Sequence, residues 1–449
     1  MKTRRWIGLL LAICLLTGCG TGWGVENITN TELQFMEAEP VINYEVPESM
    51  PSLLVDQIGY LTDSPKVAVV KNKNLPKTFR VVNADTGKCV LEESVETSIL
   101  TAGTSKIGYA DFSKVTIPGN YYLECDTLGR SYSFAINDEV YWPLFQQMNG
   151  LFYGDSSIGI GWQEKNISDN TVKDQAMSVM NLLLAYEMNA DFFAADEDAN
   201  QIPDMLDQIS TEILYLLSIQ ENNGSVTLDA EESIYCAAAF AKYSYQYKAF
   251  DSAIATKCLQ AADSAWKYVE KSGKKIPDDV LYMAAAELYR ASGSNKYREA
   301  VNTYLKNNYQ TDENDSLYEF YGDVTYISTK QKVDVDVCTS IMKKIMNKAE
   351  NIATELRDKP FKTLGNEEQN NTEELLWNMV ELSVVDTIIA NHEYDTLIEN
   401  HLHYFLGVNG KAECFFQGFG EKEVAVERSI NTSYRLTSEC ILMCGIIMK

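Results

Sequence analysis

Residues 161–187 read GWQEKNISDNTVKDQAMSVMNLLLAYE and contain the change of pattern on which the fold prediction rests. The second half carries apolar side chains at helical spacing, at Val172, Ala176, Val179, Leu182, Leu183 and Tyr186. This spacing predicts an amphipathic helix. The first half, Gln163 to Asn170, is polar and predicts a loop that leads directly into that helix.

The same helical period recurs from residue 138 almost to the end of the chain. The segments that carry it are Tyr141–Phe152, Lys173–Ala194, Pro203–Gln220, Glu231–Tyr247, Asp251–Lys271, Asp278–Ala291, Lys296–Leu305, Asp336–Arg357, Thr372–Ala390, Tyr394–Phe405 and Tyr434–Met448. Mostly short connections between such helices imply antiparallel neighbours. Eleven or twelve helices of this kind fit an (α/α)6 barrel over residues 138–449.

Residues 52–137 have a different period, in which apolar residues alternate with polar ones between closely spaced turn signals. The candidate strands are Leu53–Gln57, Val67–Val70, Phe79–Val82, Cys89–Glu92, Ile107–Asp111, Tyr121–Glu124 and Ser131–Ala135. Asp85-Thr86-Gly87 and Pro118-Gly119-Asn120 mark turns between them. About seven short strands in such a length predict an antiparallel β-sandwich.

Charge and composition restrict the possible partners. The chain has 449 residues, 45% of them hydrophobic, and a formal net charge of −26. This charge argues against nucleic acid and anionic membrane surfaces as partners of the folded part. Neutral polysaccharide is compatible with it, and the 26 Tyr and 6 Trp could supply flat faces for sugar rings. Most such rings pack inside proteins, so core packing is the alternative for each of them.

The N-terminus carries a targeting pattern. Three cationic residues precede an apolar run from Trp6 to Leu16, and Leu16-Thr17-Gly18-Cys19 follows. The pattern resembles a bacterial lipoprotein signal, which predicts a signal peptide over residues 1–18 and a lipid on Cys19. An ordinary secretory signal or an uncleaved anchor is the alternative. Residues 19–51 are polar and interrupted by prolines, which predicts a tether on the extracellular face of the cell membrane.

The cysteines and histidines give no metal-binding pattern. Eight cysteines follow Cys19, none of them in a C-x-x-C pair, and the chain has three histidines. We therefore expect no metal site and no cofactor. An oxidising exterior would permit disulfides among these cysteines. His401 and His403 are interpreted as surface or packing residues.

Residues 161–187 resemble the catalytic-base segment of glycoside hydrolase family 9, the inverting cellulases. In that family G-W-x-D-A-G-D-x-G-K-Y leads into a helix that ends L-L-L-A-Y-E. Gly161 and Trp162 match, and so do residues 182–187. Other resembling segments are 55–60, 66–69, 110–113 and 119–123 upstream, and 202–208, 284–293, 404–409 and 418–420 downstream. The resemblance implies an immunoglobulin-like domain followed by an (α/α)6 barrel that acts on β-glucan.

The catalytic positions of the family are changed in this chain. The two aspartates of the base segment correspond to Glu164 and Ile167, and isoleucine cannot accept a proton. The family's Asn-Glu pair, whose glutamate is the general acid, corresponds to Asn431 and Thr432. A threonine hydroxyl is too weak an acid to protonate a leaving group near neutral pH. Glu439 would take the acid's place if the last helix were shifted, and is otherwise an ordinary polar position.

Three functions remain open from the sequence. The first is a lipoprotein that binds β-glucan-type polysaccharide through Trp162 and Arg428 and has lost most or all hydrolysis. Packing for Trp162 and a solvated surface position for Arg428 are the alternatives. The second is an inverting hydrolase whose substitute carboxylates are Glu164, Asp169 and Glu427, since the reaction needs two carboxyl groups roughly 6.5–9.5 Å apart. The third is a scaffold whose barrel packs against a protein partner.

Overall fold

Two sheets built from short strands form the first part of the structure, a computed structural model that describes residues 44–155, 160–162, 167, 171–308, 316–365, 372–389 and 394–448. The strands are β1 (Leu53–Leu54), β2 (Gly59–Tyr60), β3 (Val67–Asn72), β4 (Thr78–Asn83), β5 (Cys89–Ser94), β6 (Glu96–Ala102), β7 (Ser105–Asp111), β8 (Gly119–Cys125), β9 (Gly129–Arg130) and β10 (Phe134–Ile136). One sheet has the order β1-β3-β7-β6, and the other β2-β10-β8-β4-β5 with β9 on β8. Only β2 and β10 pair in parallel among these strands. The antiparallel β-sandwich is confirmed.

The strand alternation predicts the core of the sandwich well and its edge poorly. Val81 and Leu123 lie opposite each other in β4 and β8, and both are fully buried. β6 was not predicted, because most of its side chains are exposed and its hydrophobic alternation is weak. The strand predicted to reach Gln57 ends at Leu54. The backbone N–H of Gln57 instead donates to the Leu406 carbonyl of the helical region.

The helical region begins after the sandwich. Its elements are α1 (Trp142–Gly150), the hairpin β11 (Gly154–Asp155) and β12 (Ile160–Trp162), α2 (Val172–Met188), α3 (Asp204–Ser218), α4 (Ala230–Gln246), α5 (Ser252–Ser272), α6 (Asp278–Ser292), α7 (Asn295–Asn308), α8 (Leu317–Ser328), α9 (Val335–Arg357), α10 (Thr372–Ile389), α11 (Asp395–Phe405) and α12 (Tyr434–Ile447). The described residues thus contain twelve α-helices.

Burial divides these helices into two rings. The even-numbered helices α2, α4, α6, α8, α10 and α12 are buried along most of their length. Helices such as α5 and α9 bury one stripe and expose the other side, which is typical of an outer layer. Helices α2, α4, α6 and α8 pack in succession, α10 packs on α12 and α12 on α2, while α9 contacts both α8 and α10. This arrangement is the predicted (α/α)6 barrel, and the six inner helices begin at the same end of it.

Two helix predictions are corrected by the structure. α8 was not predicted, because Leu317–Ser328 is rich in aromatic and β-branched residues and contains Gly322, and all of these have low helix propensity. Gly322 in this helix lies so close to the Tyr282 ring that an added Cβ would come within 2.4 Å of it. The helix predicted to run to Ala194 ends at Met188, and the Asn189 side chain donates to the Gly445 carbonyl.

A buried ion pair joins the sandwich to the barrel, and the two form one compact unit. Asp56 is fully buried and its Oδ2 lies 2.8 Å from Nδ1 of His403, while the Tyr141 hydroxyl contacts both side chains. Burial acts to lower the pKa of His403, but the hydrogen bond and charge of Asp56 raise it above its usual value. His401 and His403 are both buried. The packing interpretation of these histidines is confirmed and the surface interpretation is wrong.

Of the N-terminal segment, the structure describes the last residues of the predicted tether, from Tyr44 onward. The Tyr44 hydroxyl donates to the Ser131 carbonyl at 2.7 Å, so the end of the predicted tether contacts the sandwich. The predicted signal peptide and the lipid site Cys19 lie outside the described residues. No helix in the described part of the chain is both long enough and apolar enough to cross a membrane. The eight cysteines after Cys19 are free thiols.

Candidate functional site

The N-terminal ends of the six inner helices form a polar ring, here called the N-terminal rim. Ion pairs join neighbouring helices along it: Lys173 of α2 lies 3.7 Å from Glu231 of α4, and Arg435 of α12 lies 2.8 Å from Glu373 of α10. Ser316, at the start of α8, donates to Asp279 of α6. These contacts bring residues far apart in sequence to one face, where the loop before α2 and the loop before α12 also end.

Trp162, the predicted sugar-binding tryptophan, is a buried residue beneath this face. Its side chain is 2% exposed and packs edge-on against Phe152 and at a tilt against Tyr434. Its Nε1 donates to the Gln208 carbonyl at 3.1 Å. These contacts support the packing alternative that the sequence left open for Trp162.

A buried carboxyl group holds the backbone at this point. Glu212 of α3 is fully buried, and its Oε2 accepts a hydrogen bond from the Trp162 N–H at 2.7 Å. Gly161 is required beside it, because an added Cβ would lie 2.2 Å from the same oxygen. Burial raises the pKa of Glu212 to about 7, against the lowering effect of the Trp162 N–H. Glu212 was not singled out from the sequence, where it looks like a polar position on an ordinary helix.

The base segment itself is described only in part. Ile167, which the resemblance predicts to stand at the position of the catalytic base, is partly buried and packs against the hydrophobic core. Glu164 and Asp169, the predicted substitute carboxylates of this segment, lie outside the described residues. Their distances to other carboxylates therefore remain predictions.

The loop before α12 contains the other predicted residues. Thr432, which the resemblance predicts to stand at the position of the acid, is 6% exposed, and its hydroxyl contacts the carbonyls of Ser429 at 2.9 Å and Val426 at 3.0 Å. Asn431 donates to the Gln147 side chain at 2.7 Å and so fixes the same loop. Both residues of the pair thus stabilise the local backbone.

Glu427 and Arg428 lie on a 3-10 turn in this loop. Glu427 is exposed, which suits a solvated side chain and leaves its substitute role a prediction. The Arg428 side chain is 38% exposed, its Nη1 lies 3.7 Å from Glu413, and its guanidinium covers the Phe415 ring. Arg428 is therefore accessible at the surface, and its sugar-binding role also stays a prediction.

Arg435 of α12 is a central residue of the rim that the sequence did not indicate. Besides Glu373, its guanidinium lies 3.9 Å from Asp174 of α2 and 3.8 Å from Glu439. Burial acts to lower the pKa of Arg435, but the surrounding carboxylates, Glu439 above all, raise it. Glu439 is 1% exposed, so it is a buried partner of this cation. Arg435 thus ties the first turns of α2, α10 and α12 together.

A pocket opens beside Arg435 between the starts of α8, α10 and α12. Its volume is about 560 Å³, within the roughly 300–1,000 Å³ usual for small-ligand sites. Its lining residues are Ser316, Leu317, Tyr318, Glu373, Glu374, Trp377, Asn378 and Arg435. Aromatic rings, carboxylates, an amide and a guanidinium therefore share one opening on the rim. Another cavity, of about 870 Å³, lies on the outer wall along α7 and the segment that joins α8 to α9.

The opposite ends of the inner helices carry a second ionic cluster, here called the basal network, of Glu187, Lys242, Glu287 and Arg290. Lys242 is 2% exposed and lies 3.1 Å from Glu187 and 3.6 Å from Glu287. Arg290 also pairs with Glu187. Burial acts to raise the pKa of Glu187, but the charges of Lys242 and Arg290 lower it to about 2. The resembling segments 182–187 and 284–293 therefore meet in a structural contact.

One acidic loop has the donor type that hard cations prefer. Carboxylate oxygens of Asp196, Asp198 and Asp204 lie within 4.8 Å of one another in the segment before α3. Such oxygens suit Ca²⁺. Asp196 and Asp198 already accept hydrogen bonds from the backbone N–H of Asn200, and exposed acidic groups commonly cluster without an ion. The loop therefore identifies which residues could hold a cation and carries no further conclusion.

Comparisons with known proteins agree with this architecture. The family model described as glycosyl hydrolase family 9 matches residues 229–429, and that of the cellulase N-terminal ig-like domain matches residues 48–130. A cellodextrinase from Butyrivibrio fibrisolvens is 22% identical, with 83% of this chain and 86% of that protein aligned. A xyloglucan-specific endo-beta-1,4-glucanase from Bacteroides ovatus is 21% identical over 55% of this chain and 59% of its own length.

Solved structures share the fold. A metagenome-derived glycoside hydrolase family 9 endoglucanase superposes with a TM-score of 0.76 over 88% of this chain and 98% of its own, at 18% identity. A Bacteroides ovatus protein of the same family superposes with a TM-score of 0.72 over the same shares, at 16% identity. At such identities the likeness establishes the fold, and the site must be judged from this chain's own residues.

Proposed function

The chain is related to the glycoside hydrolase family 9 cellulases, and we propose that it is a surface lipoprotein that binds β-glucan-type polysaccharide on the N-terminal rim with lost or much reduced hydrolysis. Cys19 would carry the lipid that holds it on the extracellular face of the cell membrane. The polysaccharide is the partner that the family implies, and the rim is the face where its catalytic segments end.

The observation that carries the proposal is the state of the acid position. The Thr432 hydroxyl is buried and contacts two backbone carbonyls, so it is held in the loop and has no acidic proton to transfer. Ile167, at the base position, packs against the core. Inverting hydrolysis needs both groups, one to activate water and one to protonate the leaving oxygen. Binding of the polysaccharide needs neither of these catalytic groups, so the rim can bind sugar in a protein that no longer hydrolyses it.

The alternative is an inverting endoglucanase that uses relocated carboxylates. Glu427 supports it, because this glutamate directly follows Val426, whose carbonyl lies 3.0 Å from the Thr432 hydroxyl. The matching base would be Glu164 or Asp169. In the proposed binding protein these carboxylates have no role in chemistry.

The test is release of reducing sugar from carboxymethylcellulose, xylan and mixed-linkage glucan by the purified full-length protein, with Glu164→Gln and Glu427→Gln variants in parallel. We expect no release above blank from any of the three proteins. We also expect at least one glycan, embedded in an affinity gel, to retard the migration of the protein. Release that either substitution abolishes would overturn the proposal and identify the relocated group.

Attachment to the membrane is tested separately. We expect incorporation of labelled palmitate by the full-length protein expressed in a bacterium and none by a Cys19→Ala variant. Equal labelling of both proteins, or labelling of neither, would contradict lipidation at Cys19.

A further inference from the structure

The cavity on the outer wall of the barrel, here called the outer-wall cavity, has walls that are fixed from behind. It lies between α7 and the segment that joins α8 to α9, and its volume is about 870 Å³. The joining segment is held by Tyr289 of α6, whose hydroxyl donates to the Lys332 carbonyl at 2.6 Å. α7 is held by Tyr297, which donates to Asp263 of α5 at 2.5 Å. The cavity is therefore preformed, and a ligand that enters it has little of the protein to order.

Cationic side chains are concentrated at this cavity. Arg298 and Lys306 line it from α7, and Lys332 lines it from the joining segment. The two residues of α7 are separated by roughly 12 Å along the helix axis, at about 1.5 Å for each residue. The carboxylates that line the same cavity belong to Glu299 and Asp334. Cations thus outnumber carboxylates in the lining, although the whole chain has 64 acidic and 38 basic residues.

The cations of the lining keep their charge available, whereas one of the two carboxylates is engaged. Oδ1 of Asp334 accepts from two backbone N–H groups in the first turn of α9, at 2.9 and 3.3 Å. Among the residues that the structure describes, no carboxylate lies within ion-pair distance of Arg298, Lys306 or Lys332. An anionic ligand would therefore meet cations that need not first give up a partner.

The uncharged part of the lining has the groups that bind hydroxylated ligands. Tyr326 is 2% exposed and its hydroxyl accepts from the Asp334 N–H at 3.0 Å, while in the described part of the chain no group accepts its proton. The side-chain amides of Asn302 and Asn307 also line the cavity, and three aliphatic side chains complete the lining. Sugar hydroxyls suit such amide and phenol groups, because each hydroxyl both donates and accepts.

We propose that the outer-wall cavity binds a carboxylated oligosaccharide of the uronic-acid class, as a second glycan site on a different face from the rim. The Arg298 guanidinium can hold a carboxylate with two parallel hydrogen bonds. Carboxylates on different sugar units reach Lys306 and Lys332, and the hydroxyl groups bond to Asn302 and Asn307.

The acidity of the chain is compatible with this site. The net charge of −26 opposes an extended polyanionic surface. A bound oligosaccharide lies within the cavity, and charges beyond about 8 Å are largely screened at physiological salt, so the cations of the lining dominate. The proposal does not rest on the proposed function of the rim.

The experiment is calorimetric titration of the full-length protein with tetragalacturonate and with its methyl ester, which has the same sugars and no charge. We expect the charged ligand to bind at least about tenfold more tightly than the ester. Arg298→Gln and Lys332→Gln should each weaken its binding at least about fivefold, as for loss of a charge-assisted hydrogen bond. The matched control is Lys330→Gln, an exposed lysine of the same segment outside the lining, which should change binding less than about twofold.

One further variant has an effect that misfolding cannot imitate. Glu299→Gln removes a carboxylate from the lining and should strengthen tetragalacturonate binding about twofold or more. Equal affinity for the acid and its ester, no binding of either, or wild-type affinity in both cation variants would overturn the proposal. Hexaglutamate that binds as tightly as tetragalacturonate would also overturn it and assign the cavity to acidic peptides. None of these results alters the retardation by neutral glycans that tests the rim, so the two proposals fail separately.

Discussion

Glu212 provides a quantitative prediction, because it is a buried carboxyl group with one identified donor. Its Oε2 accepts from the Trp162 N–H, and among the described residues no group donates to its Oε1. Burial therefore raises its pKa to about 7, so the folded protein favours the protonated form. Glu212→Gln keeps an oxygen that can accept from Trp162 and removes the titration.

The magnitude follows from the two pKa values. The interval between the ordinary 4.5 and about 7 corresponds to about 3 kcal/mol, at roughly 1.4 kcal/mol for each tenfold change. Between these values the folded state binds more protons at Glu212 than the unfolded state, so this contribution to the free energy of unfolding falls as pH rises. It is complete below pH 4.5 and lost above pH 7. The side-chain amide in the Glu212→Gln variant is uncharged throughout, so the cost of burying it is constant with pH.

The assay is urea unfolding, followed by tryptophan fluorescence, of the wild type and Glu212→Gln between pH 4.5 and 8. We expect the variant's stability relative to the wild type to rise by about 3 kcal/mol across this range, with most of the change between pH 5 and 7. Other titrating groups cancel in the difference. Glu221→Gln, which changes an exposed glutamate after α3, is the control and should run parallel to the wild type. Parallel curves for Glu212→Gln as well would refute the assignment.

Three further predictions concern the stability of the scaffold. Lys242→Ala leaves Glu287 buried beside a lost cation and should lower the free energy of unfolding by about 3–5 kcal/mol, whereas the exposed control Lys267→Ala should cost less than about 1 kcal/mol in the same urea titration. Asp56→Asn should destabilise the protein most below pH 6.5. Burial acts to lower the pKa of His403, but Asp56 raises this pKa above its usual value of 6.5. The stabilisation from the pair is therefore present below pH 6.5 and is lost as the pH rises through the raised pKa of His403. A thermal melt whose loss is larger at pH 8 than at pH 6 would contradict this sign. Thr432→Val should lower the free energy of unfolding by about 1 kcal/mol, because the hydrogen bonds of the hydroxyl are lost, and reducing-sugar release should stay at blank as in the wild type. Release by the wild type that the variant lacks would assign chemistry to Thr432.

Periodicity predicted most of the fold because most elements have one buried side. The stripe from Val172 to Tyr186 identified the start of α2 within one residue, although the predicted helix extended beyond its observed end at Met188. α8 was missed although it lies between α6 and α9 as a buried helix. Its aromatic and β-branched residues and Gly322 have low helix propensity, so tertiary contacts rather than the local sequence favour a helix there.

The site could be predicted less well, because the closing of the helix barrel, in which α12 packs on α2, decides which residues come together. Trp162 stands in a polar loop in the sequence, and its burial depends on Tyr434, which is distant in the chain. Trp377 looks like an interior position of an ordinary helix. Only the arrangement of α8, α10 and α12 in the barrel brings it to an opening with Arg435. The sequence therefore did not indicate which side chains line the openings of the rim.

The resembling segments explain why the fold and the chemistry can separate in this chain. Glu187 and Glu287 hold the basal network, and Asp56 joins the two domains through His403. Removing one partner of a buried ion pair costs several kcal/mol, so such residues are constrained whether or not the protein hydrolyses anything. The proposed function requires only that Ile167 and Thr432 stand in place of reacting groups, and neither residue belongs to the basal network or to the Asp56–His403 pair. The resemblance therefore follows the constraints of the barrel, whereas the proposed function depends on the residues of the rim.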